Sequence, residues 1–269
     1  MLDHVIIGQY VPGKSFVHRM DPRAKLICLM LFVVFLFISR HPFVLIGGLI
    51  LTTTAFYYAK IPLRFYIKGM RFIVIIILFT FILHLFLTRE GPAIFSTPIF
   101  TIYLGGVTQG GFMATRLLVL FIMASLLTLT TTPVALTDGL ETLMKPLKKL
   151  GVPTHELAFM MSIALRFIPT LLDETAKIIK AQRARGANFT QGSLWNRLKA
   201  VIPIFIPLFV QSFKRAEDLA TAMEARGYEG GEGRTKFRLL TWLKKDTYAV
   251  IVFALYALIV LIVKIGGGN

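Results

Sequence analysis

Apolar residues along the chain are gathered into long blocks, separated by basic and turn-forming segments. Five blocks are long enough to cross a bilayer of about 30 Å, which takes roughly 17–25 residues per helix. They cover 24–39, 43–59, 72–88, 117–136 and 247–263. The pattern predicts an all-α integral membrane protein with about five transmembrane helices. In the second block, Gly47 and Gly48 predict close packing against another helix.

Two further apolar blocks, 157–172 and 200–213, are less suited to crossing a membrane. Arg166 lies in the middle of the first, and a charge at the bilayer centre costs about 2.5–3.5 kcal/mol. The second is short and contains two prolines. We interpret both as helices at the cytoplasmic membrane boundary. Pro169, Pro203 and Pro207 are then the expected bend positions, where these segments pass into polar helices.

The polar helices end in the same triplet, which occurs as Ala184-Arg185-Gly186 and again, farther along the chain, as Ala225-Arg226-Gly227. Each glycine stands where a left-handed residue would end a helix. Arginine suits a helix C-terminus and can form a two-pronged contact with a carboxylate of another protein. Because its neighbours are small, a partner could approach the backbone closely. The repeat therefore predicts two ends that bind a protein partner.

Both polar helices have an amphipathic pattern. On the first, Asp173 and Lys177 are spaced for an i,i+4 pair. On the second, small and apolar residues share one face, and the charged residues are expected off it. The apolar set is Ala216, Leu219, Ala220 and Met223, and the charged set is Lys214, Arg215, Glu217 and Asp218.

Turn-forming residues complete the organisation. The segment 91–111 predicts a small hairpin or ordered loop on the outer side. A third amphipathic helix is expected over 138–150, kinked at Pro146 and ended by Gly151. Three domains follow: a membrane domain of four spans over 1–136, a cytoplasmic coupling module of three amphipathic helices over 137–245, and a last span with its tail over 246–269.

The distribution of charged residues indicates how the chain is oriented in the membrane. The 269 residues are 55% apolar and carry a formal net charge of +16. Eighteen of the 30 lysines and arginines fall between Lys145 and Lys245. Because the basic residues lie outside the apolar blocks, they indicate a cytoplasmic face against membrane lipid headgroups rather than a nucleic-acid partner. Five spans then place the N-terminus in the cytoplasm and the C-terminus outside the cell. Cys28, the single cysteine, excludes an intrachain disulfide.

Enzyme signatures are poor. Asp138-Gly139 begins like the motif of membrane alcohol phosphotransferases, but the Ala-Arg that should follow is absent. Asp173 and Glu174 have no second acidic motif beside them, so no metal site is expected. No glycine-rich phosphate loop occurs, and the five histidines lack ligand spacing. His84, deep in a span, is interpreted as packed and hydrogen-bonded. A conventional permease that binds its own substrate stays as the alternative to a coupling subunit, with a membrane enzyme third.

Longer stretches resemble a known family over nearly the whole chain. They are GQYVPGKSFVHRMDPRAKL, TDGLETLMKPLKKLGVPTHELAFMMSIALRFIP, AQRARG and MEARGYEG. The chain is similar to the transmembrane T components (EcfT) of energy-coupling-factor transporters, the ATP-driven micronutrient importers of prokaryotes. The resemblance implies a multi-pass subunit of the cell membrane without catalytic residues or a cofactor of its own.

The resemblance also implies partners. Two cytoplasmic ABC ATPase subunits would bind ATP and Mg and receive Arg185 and Arg226, with Ala184, Gly186, Ala225 and Gly227 as close-packing positions. A small membrane S component would bind the vitamin or other nutrient and pack on the apolar part of the chain. The segments from Pro169 to Arg185 and from Pro207 to Arg226 would transmit the motion of the ATPases to it.

Overall fold

The computed structural model of the chain describes residues 10–39, 41–96, 101–187, 194–228, 230 and 240–266, without the side chains of 63–68, 194, 196–198 and 200. These residues form α-helices and one β-hairpin. In chain order the elements are α1 (Pro22–Ile38), α2 (Pro42–Ala59), α3 (Leu63–Leu87), β1 (Ala93–Ser96), β2 (Thr101–Tyr103), α4 (Leu104–Thr130), α5 (Pro133–Met144), a 3₁₀ helix (Lys145–Leu150), α6 (Thr154–Ala184), α7 (Leu194–Glu224) and α8 (Lys244–Gly266).

The described residues divide into two compact units. The membrane unit takes those within 8–140 and 240–269, and the paired-helix unit takes those within 141–239. The expected division into three domains, at 136/137 and 245/246, stays a prediction.

Helices α1 to α4, taken in chain order, alternate in direction, and α8 runs parallel to α1. The Asp21 amide donates to Asp246 Oδ1 at 3.0 Å, so the two helices start side by side. Further along both, the Phe32 ring lies 6.0 Å from that of Phe253. The C-terminal end of α4 lies at the same end of the unit, because Lys25 Nζ donates to the Thr130 carbonyl at 3.0 Å. Thus α4 ends where α1 and α8 begin.

The core of this unit lies between α1, α2, α4 and α8. Phe32, Val119 and Val260 have no exposed surface. A Cβ added at Gly48 would lie 3.1 Å from Tyr256 Oη and 3.3 Å from Leu36 Cδ1. The predicted close packing at this glycine is therefore confirmed, since a side chain there would require Tyr256 or Leu36 to shift.

The hairpin predicted within 91–111 is confirmed, its place on the outer side stays a prediction, and the expected bounds of the helix after it are wrong. Strands β1 and β2 pair antiparallel, with Ala93 opposite Tyr103. Helix α4 then begins at Leu104 and ends at Thr130, so the expected bounds of 117–136 are wrong. Its early glycines, interpreted as loop residues, let α4 approach the backbone of α3: a Cβ at Gly106 would lie 2.9 Å from the His84 carbonyl oxygen.

Prolines set two other boundaries differently from expectation. Pro133 begins α5 instead of lying near the end of the fourth span; its fixed φ and missing N–H suit a first helical position. The helix expected over 138–150 is not one kinked helix. α5 stops at Met144, and the 3₁₀ helix that follows has Pro146 in its first turn. Gly151, at φ 83°, ends the 3₁₀ helix, as predicted for this position.

Five described helices are long and apolar enough to cross a membrane by length and composition. They are Pro42–Ala59, Gly69–Leu87, Leu104–Thr130, Thr154–Ala184 and Lys244–Gly266. The set differs from the expected one. Helix α1, with 17 residues, is at the short limit of a span. Helix α6 qualifies because the apolar block 157–172 continues into its polar part within one helix of 31 residues.

Candidate functional site

The paired-helix unit contains both Ala-Arg-Gly triplets, one at the end of each long helix. Helices α6 and α7 have 31 residues each. Contacts between them advance along α6 while they go backwards along α7, so the two helices run antiparallel. The contacts join Phe159 with Tyr228, Glu174 with Arg215, and Gln182 with Pro203. The two triplets therefore lie at opposite ends of the pair.

The first triplet ends α6 in a Schellman motif. Gly186 has φ 88°. Its amide donates to the Arg183 carbonyl at 3.0 Å, and the Ala187 amide donates to the Gln182 carbonyl at 3.0 Å. These two bonds satisfy carbonyls that a helix end otherwise leaves without donors. Arg185 is thereby fixed as the C-cap residue of α6.

The second triplet ends α7 in the same way. Gly227 has φ 68°. Its amide donates to the Glu224 carbonyl at 2.9 Å, and the Tyr228 amide donates to the Met223 carbonyl at 3.0 Å. The left-handed helix ends predicted at both glycines are confirmed. Arg226 thus occupies the position in this motif that Arg185 occupies in the first.

Every residue of both triplets is exposed. Nothing lies within 4 Å of a Cβ built on Gly186 or on Gly227. Among the residues that the structure describes, the guanidinium groups of Arg185 and Arg226 make no hydrogen bond or ion pair. The exposed residues are Ala184, Arg185, Gly186, Ala225, Arg226 and Gly227. Two cationic ends with small neighbours are thus available to a partner.

The expected bend positions lie inside continuous helices. Pro169 is within α6, and Pro203 and Pro207 are within α7. The apolar blocks and the polar helices are therefore not separate elements. Whether these prolines serve as bends stays a prediction.

One of these prolines is linked to the triplet end of α6. Pro207 has no N–H, so the carbonyl of Pro203, four residues earlier, lacks its helical donor. Gln182 Nε2 donates to that carbonyl oxygen at 3.4 Å. The same residue, Gln182, also supplies a carbonyl to the Schellman motif. Gln182 thus connects the C-terminal end of α6 with the proline-containing part of α7.

Aromatic rings hold the other end of the pair. The Phe159 ring is stacked on the Tyr228 ring at 5.4 Å, and the His155 ring is stacked on Phe159 at 6.4 Å. The Nδ1 atom of His155 lies 3.2 Å from Glu141 Oε1. Tyr228 directly follows the second triplet, so this stack places the end of α7 against the start of α6.

Sequence reasoning missed the ion pair between the helices. Arg215 Nη2 donates to Glu174 Oε1, and the two side chains are 31% and 17% exposed. Arg215 is expected only to lie off the face of the apolar set, yet its long side chain reaches across to α6, whereas Ala216 and Ala220 of that set are exposed. The available signal was that Glu174 and Arg215 are separated in the sequence by the same interval as Arg185 and Arg226.

Histidines and acidic residues form no metal centre within the described ranges, where no three of them come together with cysteine as possible ligands. His84 lies in α3, where its Nδ1 is 2.9 Å from the Thr80 carbonyl oxygen. The interpretation of His84 as a packed, hydrogen-bonded residue is confirmed.

Comparison with known proteins identifies the family of the chain. A family model described as CbiQ, cobalt transport protein, matches residues 13–237. The energy-coupling factor transporter transmembrane protein EcfT of Bacillus selenitireducens is 57% identical over 268 residues, which is 100% of both chains. The chain belongs to the EcfT family. The EcfT protein of Bacillus subtilis is 53% identical over 253 residues, 93% of this chain and 95% of the relative. The EcfT protein of Brevibacillus brevis is 50% identical over 263 residues, 97% of this chain and 98% of the relative.

Membership of the EcfT family confirms the resemblance inferred from the sequence motifs. The chain is an all-α integral membrane protein, a transmembrane component of an energy-coupling factor transporter.

Proposed function

We propose that this chain is the coupling subunit of its transporter and that each triplet arginine binds one of two cytoplasmic ABC ATPase subunits. The observation that carries the proposal is the pair of equivalent, exposed helix ends. Each presents an arginine at the C-cap of a Schellman motif, at opposite ends of the α6–α7 pair. One ATPase subunit at each end would connect the two motors through a single pair of helices.

The chemistry of the ends suits a protein partner. A guanidinium offers several N–H donors in a planar fork, and it bonds a carboxylate through two of them. Because Arg185 and Arg226 have no internal partner in the described part of the chain, binding would break no bond within it. The Schellman bonds hold the backbone on either side of each arginine, which lowers the entropy lost on docking.

The membrane unit would carry the other partner, a small membrane S component that binds the nutrient. Helix α3 turns large apolar side chains outwards, among them Phe72, Ile75 and Phe79, which are 73%, 62% and 61% exposed. Such a surface suits lipid or another membrane helix rather than water. ATP and Mg would be bound by the ATPases and the nutrient by the S component, which leaves this chain non-catalytic.

The directions of the helices support five spans with the two termini on opposite sides of the prokaryotic cell membrane, and the basic residues outside the apolar blocks favour an N-terminus inside. Helix α4 ends at the end of the membrane unit where α8 begins. The chain between them must therefore cross the membrane an even number of times, if at all. A crossing by α6 would need a return by α7, which is not among the candidate spans of the described helices. We accordingly assign the five spans to α1, α2, α3, α4 and α8.

The test is a charge reversal at both ends, Arg185→Glu with Arg226→Glu, in the full chain expressed with its ATPases and S component. We expect the ATPases to be lost on purification and transport to stop, while the chain still inserts into the membrane. The matched control is Lys180→Glu with Lys214→Glu, which reverses two exposed charges of the same helices outside the triplets. Normal copurification and transport by the arginine variant would refute the proposal.

A further inference from the structure

The ion pair between α6 and α7 occupies a special place relative to the triplets. Arg185 follows Glu174 at the same sequence interval at which Arg226 follows Arg215. Because the helices run antiparallel, the two arginines lie at equal distances from the ion pair in opposite directions. At a helical rise of about 1.5 Å per residue, each arm is about 17 Å long. The ion pair thus marks the centre of a two-fold arrangement that the chain builds from two different sequences.

The contacts of the ion pair tie it to a defined position on α6. The guanidinium of Arg215 lies over the Phe167 ring, 5.8 Å from its centre. Phe167 and Glu174 are seven residues apart, so they share a face of α6. Arg215 therefore holds one carboxylate and one aromatic ring, two turns apart, and a slip of either helix would break both contacts.

Stability is a poor explanation for this pair. Glu174 Oε2 and Arg215 Nη1 are buried, and neither has a hydrogen-bond partner in the part of the chain that the structure describes. Taking charges out of water is costly, and a pair with unmet donors and acceptors regains little of that cost. The best-attested use of such groups is to select one register between helices.

We propose that Glu174 and Arg215 are positioning residues, whose contact is the pivot that fixes the distance and angle between the two arginine-bearing helix ends. The inference rests on the proposed function, because the ends matter only if the ATPases bind them. A pivot at the midpoint makes a movement at one end reappear at the other with equal size. Without it the helices could slip, each end could still bind an ATPase, and the movement would no longer be transmitted faithfully.

The experiment removes the pair and then restores it with reversed charges. The variants are Glu174→Gln, Arg215→Gln, and the exchange Glu174→Arg with Arg215→Glu. Asp173→Asn and Lys214→Gln are matched controls, since each neutralises an exposed charge directly before one member of the pair. All are made in the full chain, purified with the ATPases and S component and reconstituted in vesicles.

Two measurements separate positioning from simple structural support. One is transport per ATP hydrolysed. The other is the distance between spin labels on cysteines that replace Lys180 and Thr221, exposed residues that each lie six positions beyond the pair. The native Cys28 is 2% exposed, so it should not react with the label.

We expect the two neutral variants to copurify with the ATPases as the unaltered chain does, while transport per ATP falls about fivefold or more. The label distance should broaden or shift by about 5 Å, the rise of one helical turn. The charge exchange should restore both quantities, and the two controls should leave them unchanged.

Unaltered distance and transport in the neutral variants would overturn the inference. So would loss of ATPase binding with an unchanged label distance, or a well-inserted exchange variant that restores neither quantity. If the exchange variant fails to insert, the inference is judged from the label distance in the single variants, compared with that in the two controls. Equal distances would then overturn it. The double reversal at Arg185 and Arg226 tests the proposed function separately, because its copurification result does not depend on the ion pair.

Discussion

At the scale of single residues, Asp246 joins two membrane helices through one carboxylate. It has no exposed surface. Its Oδ1 accepts the amide of Asp21 at 3.0 Å, and its Oδ2 accepts the amide of Leu243 at 2.8 Å. The second bond caps the start of α8, as an acidic residue does from the third position of a capping box. The first ties that start to the beginning of α1.

Replacement of Asp246 by alanine should destabilise the membrane unit. The buried amide of Asp21 would lose its acceptor, at a cost of about 1–3 kcal/mol. Asp246→Asn keeps one acceptor oxygen and should cost less. Thermal unfolding in detergent measures the order of the unfolding temperatures. The control is Asp218→Ala, which changes an exposed residue of α7. Equal unfolding temperatures for Asp246→Ala and the unaltered chain would contradict this assignment.

At the scale of elements, the two Schellman motifs make α6 and α7 end alike. These ends could be predicted from the sequence, because a glycine that follows a polar helix commonly ends that helix in the left-handed conformation. The sequence did not indicate that α6 and α7 would run through their prolines, or that α4 would begin at Leu104. In both cases tertiary contacts outweighed local signals: α4 packs on α3 at Gly106, and Gln182 replaces a donor that Pro207 lacks.

Alanine at Gly186 or Gly227 should weaken ATPase binding at the corresponding end. A side chain at positive φ costs roughly 1–2 kcal/mol, so the end would unwind and release its arginine from the fixed geometry. We expect the affinity for the ATPases to fall by about five- to thirtyfold for each substitution. Gly266→Ala, at the end of α8 with open space around it, is the control. Titration of labelled ATPase onto the reconstituted chain checks this, and unchanged affinities would show that the helix ends do not need the left-handed glycine.

At the scale of the whole molecule, the helix directions support the proposed path of the chain through the membrane. Block length alone could not choose between α1 and α6 as a span, because α1 is short and α6 is long. The contacts of Lys25 with Thr130 and of Asp21 with Asp246 favour α1 in the proposed topology. They could not be read from the sequence, since they join residues more than a hundred positions apart.

Single cysteines placed along the chain should therefore show two classes of accessibility. Arg89→Cys and Lys264→Cys should react with a membrane-impermeant maleimide added outside intact cells. Lys149→Cys and Lys180→Cys should react only after the membrane is opened. All four positions are exposed, and Cys28 is buried. Reaction of Lys180→Cys, but not Lys149→Cys, from outside would show that α6 crosses the membrane, contrary to the assigned topology.

The equivalence of the two helix ends also bears on partner choice. If both ends have the same backbone, the backbone cannot tell two different ATPase subunits apart. Any discrimination must then come from the side chains beside each arginine. Two residues before Arg185 stands Arg183, whereas Glu224 stands two residues before Arg226, and both are exposed. The pair at the end of α6 thus carries two positive charges, whereas the charges of the pair at the end of α7 cancel. Two helix ends with the same backbone therefore differ in the charge that they offer to a partner.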